Sequence, residues 1–230
     1  MSNVLLLAAI LPALFIIYKV YQQDRLEKEP MVLMVVLIVM GILSAFGAIV
    51  LEYVGEWILD GFVSYYRPIY NVIYYFVIIA GSEEIMKYFF LKLGSYKSNA
   101  FNCMFDGIVY AVTVSLGFAL FENILYVFES GLGTAIMRAI TAVPAHACFG
   151  VFMGVWYGYA KRMRIVNETK MEKKCLRLSL LFPILIHGAY DYILSIEVSA
   201  LIFFAFVIVM FFATYSVVKA MSKDDYYLDE

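Results

Sequence analysis

Two adjacent glutamates and a lysine, in Gly81-Ser82-Glu83-Glu84-Ile85-Met86-Lys87, sit inside an apolar run from Asn71 to Leu93. On a helix Glu83 and Lys87 are four apart and Glu84 and Lys87 three apart, so either carboxylate reaches the ammonium. The two glutamates point about 100° apart, so one can pair with Lys87 while the other faces a cavity. Close carboxylates in a low dielectric resist double ionisation, which suits one of them to general acid–base work. The competing reading is an ion network that only locks helices together.

Three later apolar segments carry polar groups of their own. Glu122 and Asn123 follow Phe118, which shares a helix face with Glu122. No base lies within one turn of Glu122, so its partner must come from another helix: His146, His187 or Arg138. Pro144 leaves the Ile140 carbonyl without a helical donor and predicts a kink just before His146. His187 and Asp191 share a face at i,i+4, so the carboxylate can fix the imidazole tautomer. These are the chain's two histidines. Asp106 is expected near the opposite end of its helix, against a basic partner.

Two chemistries fit these residues. In one, a glutamate and a histidine activate water against a peptide carbonyl, with Asn123 donating to the oxyanion. Glu84 is then the preferred base, with Glu83 held by Lys87, and the reverse is the alternative. In the other, His146, His187 and one of Glu84 or Glu122 hold a zinc ion that activates the water. There is no His-Glu-x-x-His motif to pre-form such a site, so no cofactor is favoured and zinc stays open. A proton- or ion-coupled transporter, or a non-enzymatic membrane binding or chaperone-like protein, would bury similar groups. No serine or cysteine nucleophile is indicated.

Such charges need helices to hold them. Of 230 residues, 64% are hydrophobic and 16% charged, with a mean hydropathy of +0.84, far more apolar than a soluble domain. A net charge of -2 gives no hint of nucleic acid. Cys103, Cys148 and Cys175 have no framework spacing and are expected to be packing thiols. The first run lacks a basic n-region and a small-residue cleavage site, so it is expected to be a retained helix. The pattern predicts an all-α polytopic membrane helix bundle in the lipid bilayer with seven transmembrane helices: Val4–Tyr21, Pro30–Val54, Asn71–Leu93, Asn102–Phe128, Ala135–Tyr159 (interrupted by Pro144), Leu176–Ser195 and Val198–Val218. Gly41 and Gly47 leave room for close helix approach. The aromatic, mixed-polarity stretch 56–70 is too polar to span, and is either a loop or an interfacial or re-entrant eighth element. Residues 1–219 form the membrane domain and 220–230 an acidic cytoplasmic tail.

Basic residues then orient the chain. Lys19, Arg25, Lys28, Lys92, Lys97, the Lys161–Arg177 group, Lys219 and Lys223 fall on one side, and Arg67 and Arg138 on the other. The first side is cytoplasmic by the positive-inside rule, so the N-terminus is extracytoplasmic and the C-terminus cytoplasmic.

Four ordered motifs resemble those of PrsW-type intramembrane proteases, within the wider group of CAAX prenyl endopeptidases and Abi-type proteins. Glu83-Glu84-Ile85-Met86-Lys87 matches Glu-Glu-x-x-Lys, and Phe118-Ala119-Leu120-Phe121-Glu122 matches Phe-x-x-x-Glu. His146 stands as the third-motif histidine, and His187-Gly188-Ala189-Tyr190-Asp191 matches His-x-x-x-Asp. The resemblance implies a peptidase of the bacterial cell membrane. It would make the first, site-1 cut of a single-span anti-sigma factor, with Glu83, Glu84, Glu122, His146 and His187 catalytic. Lys87, Asn123, Asp191 and Phe118 would support them. Counting residues from the helix ends staggers Glu83 and Glu84 from Glu122 by roughly 10 Å, so convergence would need a break at Gly81-Ser82 or the kink at Pro144.

Overall fold

The computed structural model describes residues 2–65, 67–196 and 200–228. Tyr66, the Val198 start of the seventh segment, and Asp229 and Glu230 of the tail lie outside the described residues. Within them the chain is helical: α1 (Ser2–Gln23), α2 (Met31–Phe62), α3 (Pro68–Ile73), a π-helical turn (Tyr74–Ile79), α4 (Ala80–Ser95), α5 (Asp106–Ser130), α6 (Leu132–Ile140), α7 (Ala142–Ile165), α8 (Thr169–Ser195) and α9 (Ala200–Lys223). Seven helical runs are long and apolar enough to cross a membrane; α3 to α4 form one run and α6 with α7 another. Helices are the form in which a lone segment satisfies its own backbone in lipid. The protein is a multi-pass membrane helix bundle.

The stretch 56–70 supplies no eighth element. α2 continues to Phe62, and a short link leads to Pro68 at the start of α3. Tyr70 hydroxyl donates to Asp60 Oδ1 at 2.7 Å, so the polar residues here prop the end of α2 against α3. The mixed polarity belongs to the end of α2 and the start of α3.

α5 is the axis. It is buried on every face from Asp106 to Leu120, with α2, α7 and α1 around it. Small residues allow that closeness. A Cβ on Gly41 would stand 2.1 Å from the Val114 carbonyl oxygen, and one on Gly117 2.4 Å from that of Ile38, so α2 and α5 cross backbone to backbone. On the other side Gly150, Gly154 and Gly158 form a four-residue ladder on α7. A Cβ on Gly154 would come within 2.5 Å of Gly107 and Ile108 backbone atoms on α5, the close packing small-xxx-small stripes permit in membranes. Gly47, the other glycine expected at a close approach, faces Met86 of α4.

The break in the fifth segment falls at Thr141, between α6 and α7, three residues ahead of Pro144. Pro144 thus sits in the first turn of α7, where an amide hydrogen would have no helical acceptor anyway. No break occurs at Gly81-Ser82; the irregularity is the π-helical turn immediately before them. Such turns recur at functional sites.

At the opposite end of the bundle the tail folds back. Leu228 N–H donates to Asn102 O at 2.7 Å, Met104 N–H to Tyr226 O at 3.1 Å, and Cys103 pairs with Tyr227 in an isolated antiparallel bridge. The three cysteines are buried and free.

Candidate active site

The four motifs meet. Lys87 Nζ donates to Glu83 Oε2 and to Glu84 Oε1, each at 2.8 Å. It also lies 3.1 Å from His146 Nδ1 and 3.9 Å above the centre of the Phe118 ring, a cation–π contact at a buried site. Lys87 thus holds both carboxylates, not Glu83 alone as the sequence suggested. Spacing of three and four puts both within its reach.

The pair is nonetheless unequal. Glu84 is completely buried and shares Oε1 with His187 Nδ1 at 2.9 Å. Glu83 lines a cavity of about 760 Å³ together with Glu122, His146, His187 and Asp191. Of the two carboxylates, it is Glu83 that lines the cavity, whereas Glu84 was the one expected to face it. The adjacent directions expected of consecutive helical residues produce this division.

Glu122 finds two of its expected partners. His146 Nε2 is 3.0 Å from Glu122 Oε2, and Arg138 Nη2 donates to the same oxygen at 2.8 Å. His187 Nε2 lies 3.1 Å from Asp191 Oδ2 and 3.9 Å from Glu83 Oε2. The two histidine rings are 5.5 Å apart, nearly perpendicular, and Phe149 stacks on His187 at 4.5 Å. Hydrogen-bond capacity assigns their states. His146 accepts from an ammonium at Nδ1 and donates to a carboxylate at Nε2, which is a neutral ring. His187 has a carboxylate at both nitrogens, and a ring that donates twice is the protonated form.

Asn123 does not face the reaction space. Its Nδ2 donates to Ala9 O at 2.7 Å and its Oδ1 accepts from Arg138 Nε at 2.8 Å. Being one residue from Glu122 it points about 100° away, toward α1, and it holds Arg138 in place. The expected oxyanion role is withdrawn. The expected depth stagger is also absent, since these hydrogen bonds put all four segments' groups at one level. Counting had taken the helix ends as level. The third run instead extends from Pro68 to Ser95, 28 residues, with α3 held to α2 through Tyr70 and Asp60. Among the described residues Asp106 has no basic ion-pair partner either; its Oδ2 accepts the Asn102 and Cys103 amides at 3.0 and 2.7 Å.

Sequence reasoning passed over Glu52, which lines the cavity from α2 with no ion-pair partner among the described residues. Its signal was weak: a single carboxylate two residues before the end of the apolar run that closes at Val54, ahead of Glu56 and Asp60.

Fold and cavity together define a membrane-embedded enzyme site built on carboxylates and histidines. The chain matches, over residues 29–217, the family described as PrsW family intramembrane metalloprotease. It is 37% identical over 190 residues to Protease PrsW of Halalkalibacterium halodurans, covering 83% of each chain. Protease PrsW of Bacillus subtilis is 35% identical over 188 residues, 82% of this chain and 81% of that one. The Clostridioides difficile protein of that name is 31% identical over 198 residues, 84% and 80% of the two chains. No solved structure gives a significant match. The chain belongs to the PrsW family and is an intramembrane protease.

The family description implies a metal. Glu83, Glu84 and His146 offer ligand atoms within 4.8 Å of one another, a suitable donor set. Lys87 Nζ, however, stands 2.8, 2.8 and 3.1 Å from these side chains, so the protein's own ammonium takes the centre an ion would need. The alternative set with His187 has each ring nitrogen already facing a side chain. As arranged, the cluster does not fit a metal ion.

Proposed function

We propose that this protease makes the first, site-1 cut of a single-span anti-sigma factor, close to the extracytoplasmic membrane surface. The observation that carries the reading is the cavity. Its lining reaches Glu52, Glu129, Arg138 and Ser195, toward the end of the bundle where α5 and α8 finish and α6 begins. The oriented charge pattern makes that end extracytoplasmic. Deeper in the bundle, buried Leu91, Ile108, Leu116, Met153 and Tyr157 fill the space. A cleft open at one end suits a juxtamembrane peptide better than a transported solute.

In this reading Glu83 takes the proton of the attacking water, its second oxygen steadied by Lys87. His187 stabilises charge on the carbonyl oxygen, with Asp191 and Glu84 offsetting the imidazolium. Glu83 then returns that proton to the leaving amine, while His146, neutral between Lys87 and Glu122, holds the Glu122–Arg138 pair against the cluster. Electrostatic groups fixed in a water-poor cleft reorganise little as the transition state forms, which is the main source of their effect.

The test is cleavage of a membrane-anchored anti-sigma substrate by purified full-length protein in detergent. Glu83→Gln should reduce turnover by roughly a hundredfold or more while leaving a folded, monodisperse protein. A zinc-selective chelator should leave the wild-type rate intact. Full activity in Glu83→Gln would remove the assigned base. One zinc per chain, with activity lost on stripping and restored on re-addition, would replace the mechanism. Solute uptake into liposomes without cleavage would favour a transporter.

A further inference from the structure

At the end of the bundle opposite the cavity, Asp24, Glu29 and Asp106 converge. The first two come from the α1–α2 connection and the third opens α5. They are 1%, 2% and 0% exposed, and their carboxylates offer ligand atoms that all lie within 4.8 Å of one another. Four buried oxygens have no hydrogen-bond partner among the described residues: both of Asp24, Oε1 of Glu29 and Oδ1 of Asp106. Their other oxygens are held in place, since Tyr110 hydroxyl donates to Glu29 Oε2 and two backbone amides donate to Asp106 Oδ2.

Among the described residues Lys28 makes no ion pair with the group. Lys28 Nζ turns to the backbone carbonyls of Tyr21, Gln22 and Asp24. Three buried carboxylates sharing one space, with free oxygens and no cationic side chain among them, are costly unless a charge of opposite sign joins them.

We propose that Asp24, Glu29 and Asp106 form a binding site for one hard divalent cation, calcium or magnesium, separate from the proteolytic cluster. The donors are all oxygen, the ligand type such ions select. Asp24 presents two free oxygens, which suits the larger, more flexible calcium shell; magnesium would keep more of its water. The ion would tie the α1–α2 connection to the start of α5. Asp225 lies close by, its Oδ1 accepting the Phe105 amide at 2.9 Å, so the docked tail would be drawn into the same clamp.

The experiment is calorimetric titration of chelator-stripped full-length protein in detergent with calcium chloride and, separately, magnesium chloride. One saturable site per chain is expected for at least one ion, with affinity at least tenfold weaker in Asp24→Asn and unchanged in Glu83→Gln. The bound ion should raise the wild-type melting temperature and leave that of Asp24→Asn unmoved. In chelator the variant should melt no lower than wild type, because one of three repelling charges is gone. Glu29→Gln gives the same readouts where Asp24→Asn yields too little protein. No saturable binding of either ion, or binding that survives both substitutions, overturns the proposal and leaves shared protons as what settles the cluster.

Discussion

Lys87 has four neighbours within contact: two carboxylates, an imidazole nitrogen and an aromatic face. Replacing it with methionine keeps the length but strands buried Glu84 beside His187 without its cation. Removing one partner of a buried ion pair costs about 3–5 kcal/mol, a large part of a typical folding stability. Lys87→Met should therefore give sharply lower folded yield and a lower melting temperature. Normal yield with full activity would mean the ammonium is dispensable. The pairing at i+3 and i+4 was legible in sequence because charge inside an apolar run is rare and must be answered locally. Which glutamate faces the cavity was not legible, because that depends on where α5, α7 and α8 stand around α4. Nor was Asn123's fate, since nothing near it in sequence names Ala9.

Among the helices, the crossing of α5 and α7 sets the distance between Glu122 and His146, and the glycine ladder sets that crossing. Gly154→Val would drive a side chain into backbone atoms of Gly107 and Ile108, 2.5 Å from its first carbon. Backbone cannot step aside as a flexible side chain can. The substitution should abolish folded protein or cost at least the 1–3 kcal/mol typical of overpacking, read as loss of a monodisperse peak and of thermal stability. Gly133→Val, with nothing within 4 Å of the added carbon, is the control that should behave as wild type. Seven spans were readable from hydropathy because the backbone in lipid leaves few alternatives. The π-helical turn at Tyr74–Ile79 was not, since its residues are as apolar and aromatic as their helical neighbours. The break at Thr141 was anticipated from Pro144, but three residues late, because proline is tolerated inside the first turn of a new helix.

Over the whole molecule, the ends of the bundle differ. One carries the cavity mouth between α2, α5, α6 and α8, the other the carboxylate cluster and the docked tail. The proposed orientation, from the charge bias, turns the first outward. Cysteine labelling in intact cells tests this against a low background, since the native thiols are buried. Gly133→Cys, in the first turn of α6, should react with an impermeant maleimide from outside. Lys173→Cys, near the start of α8, should react only after permeabilisation. The opposite pattern would invert the chain and move the cut to the cytoplasm. The cluster of Asp24, Glu29 and Asp106 escaped sequence reading because its members are scattered and look like ordinary loop and cap residues. The sidedness of the mouth also bears on pharmacology. With the mouth outward as proposed, a peptide-like inhibitor too polar to cross a bilayer could reach Glu83 and His187 from the medium. Export pumps and membrane permeation, which limit compounds aimed at enzymes of the cell interior, then drop out of the problem, and the charge on such a compound becomes an asset against a cleft lined by Glu52, Glu122 and Arg138.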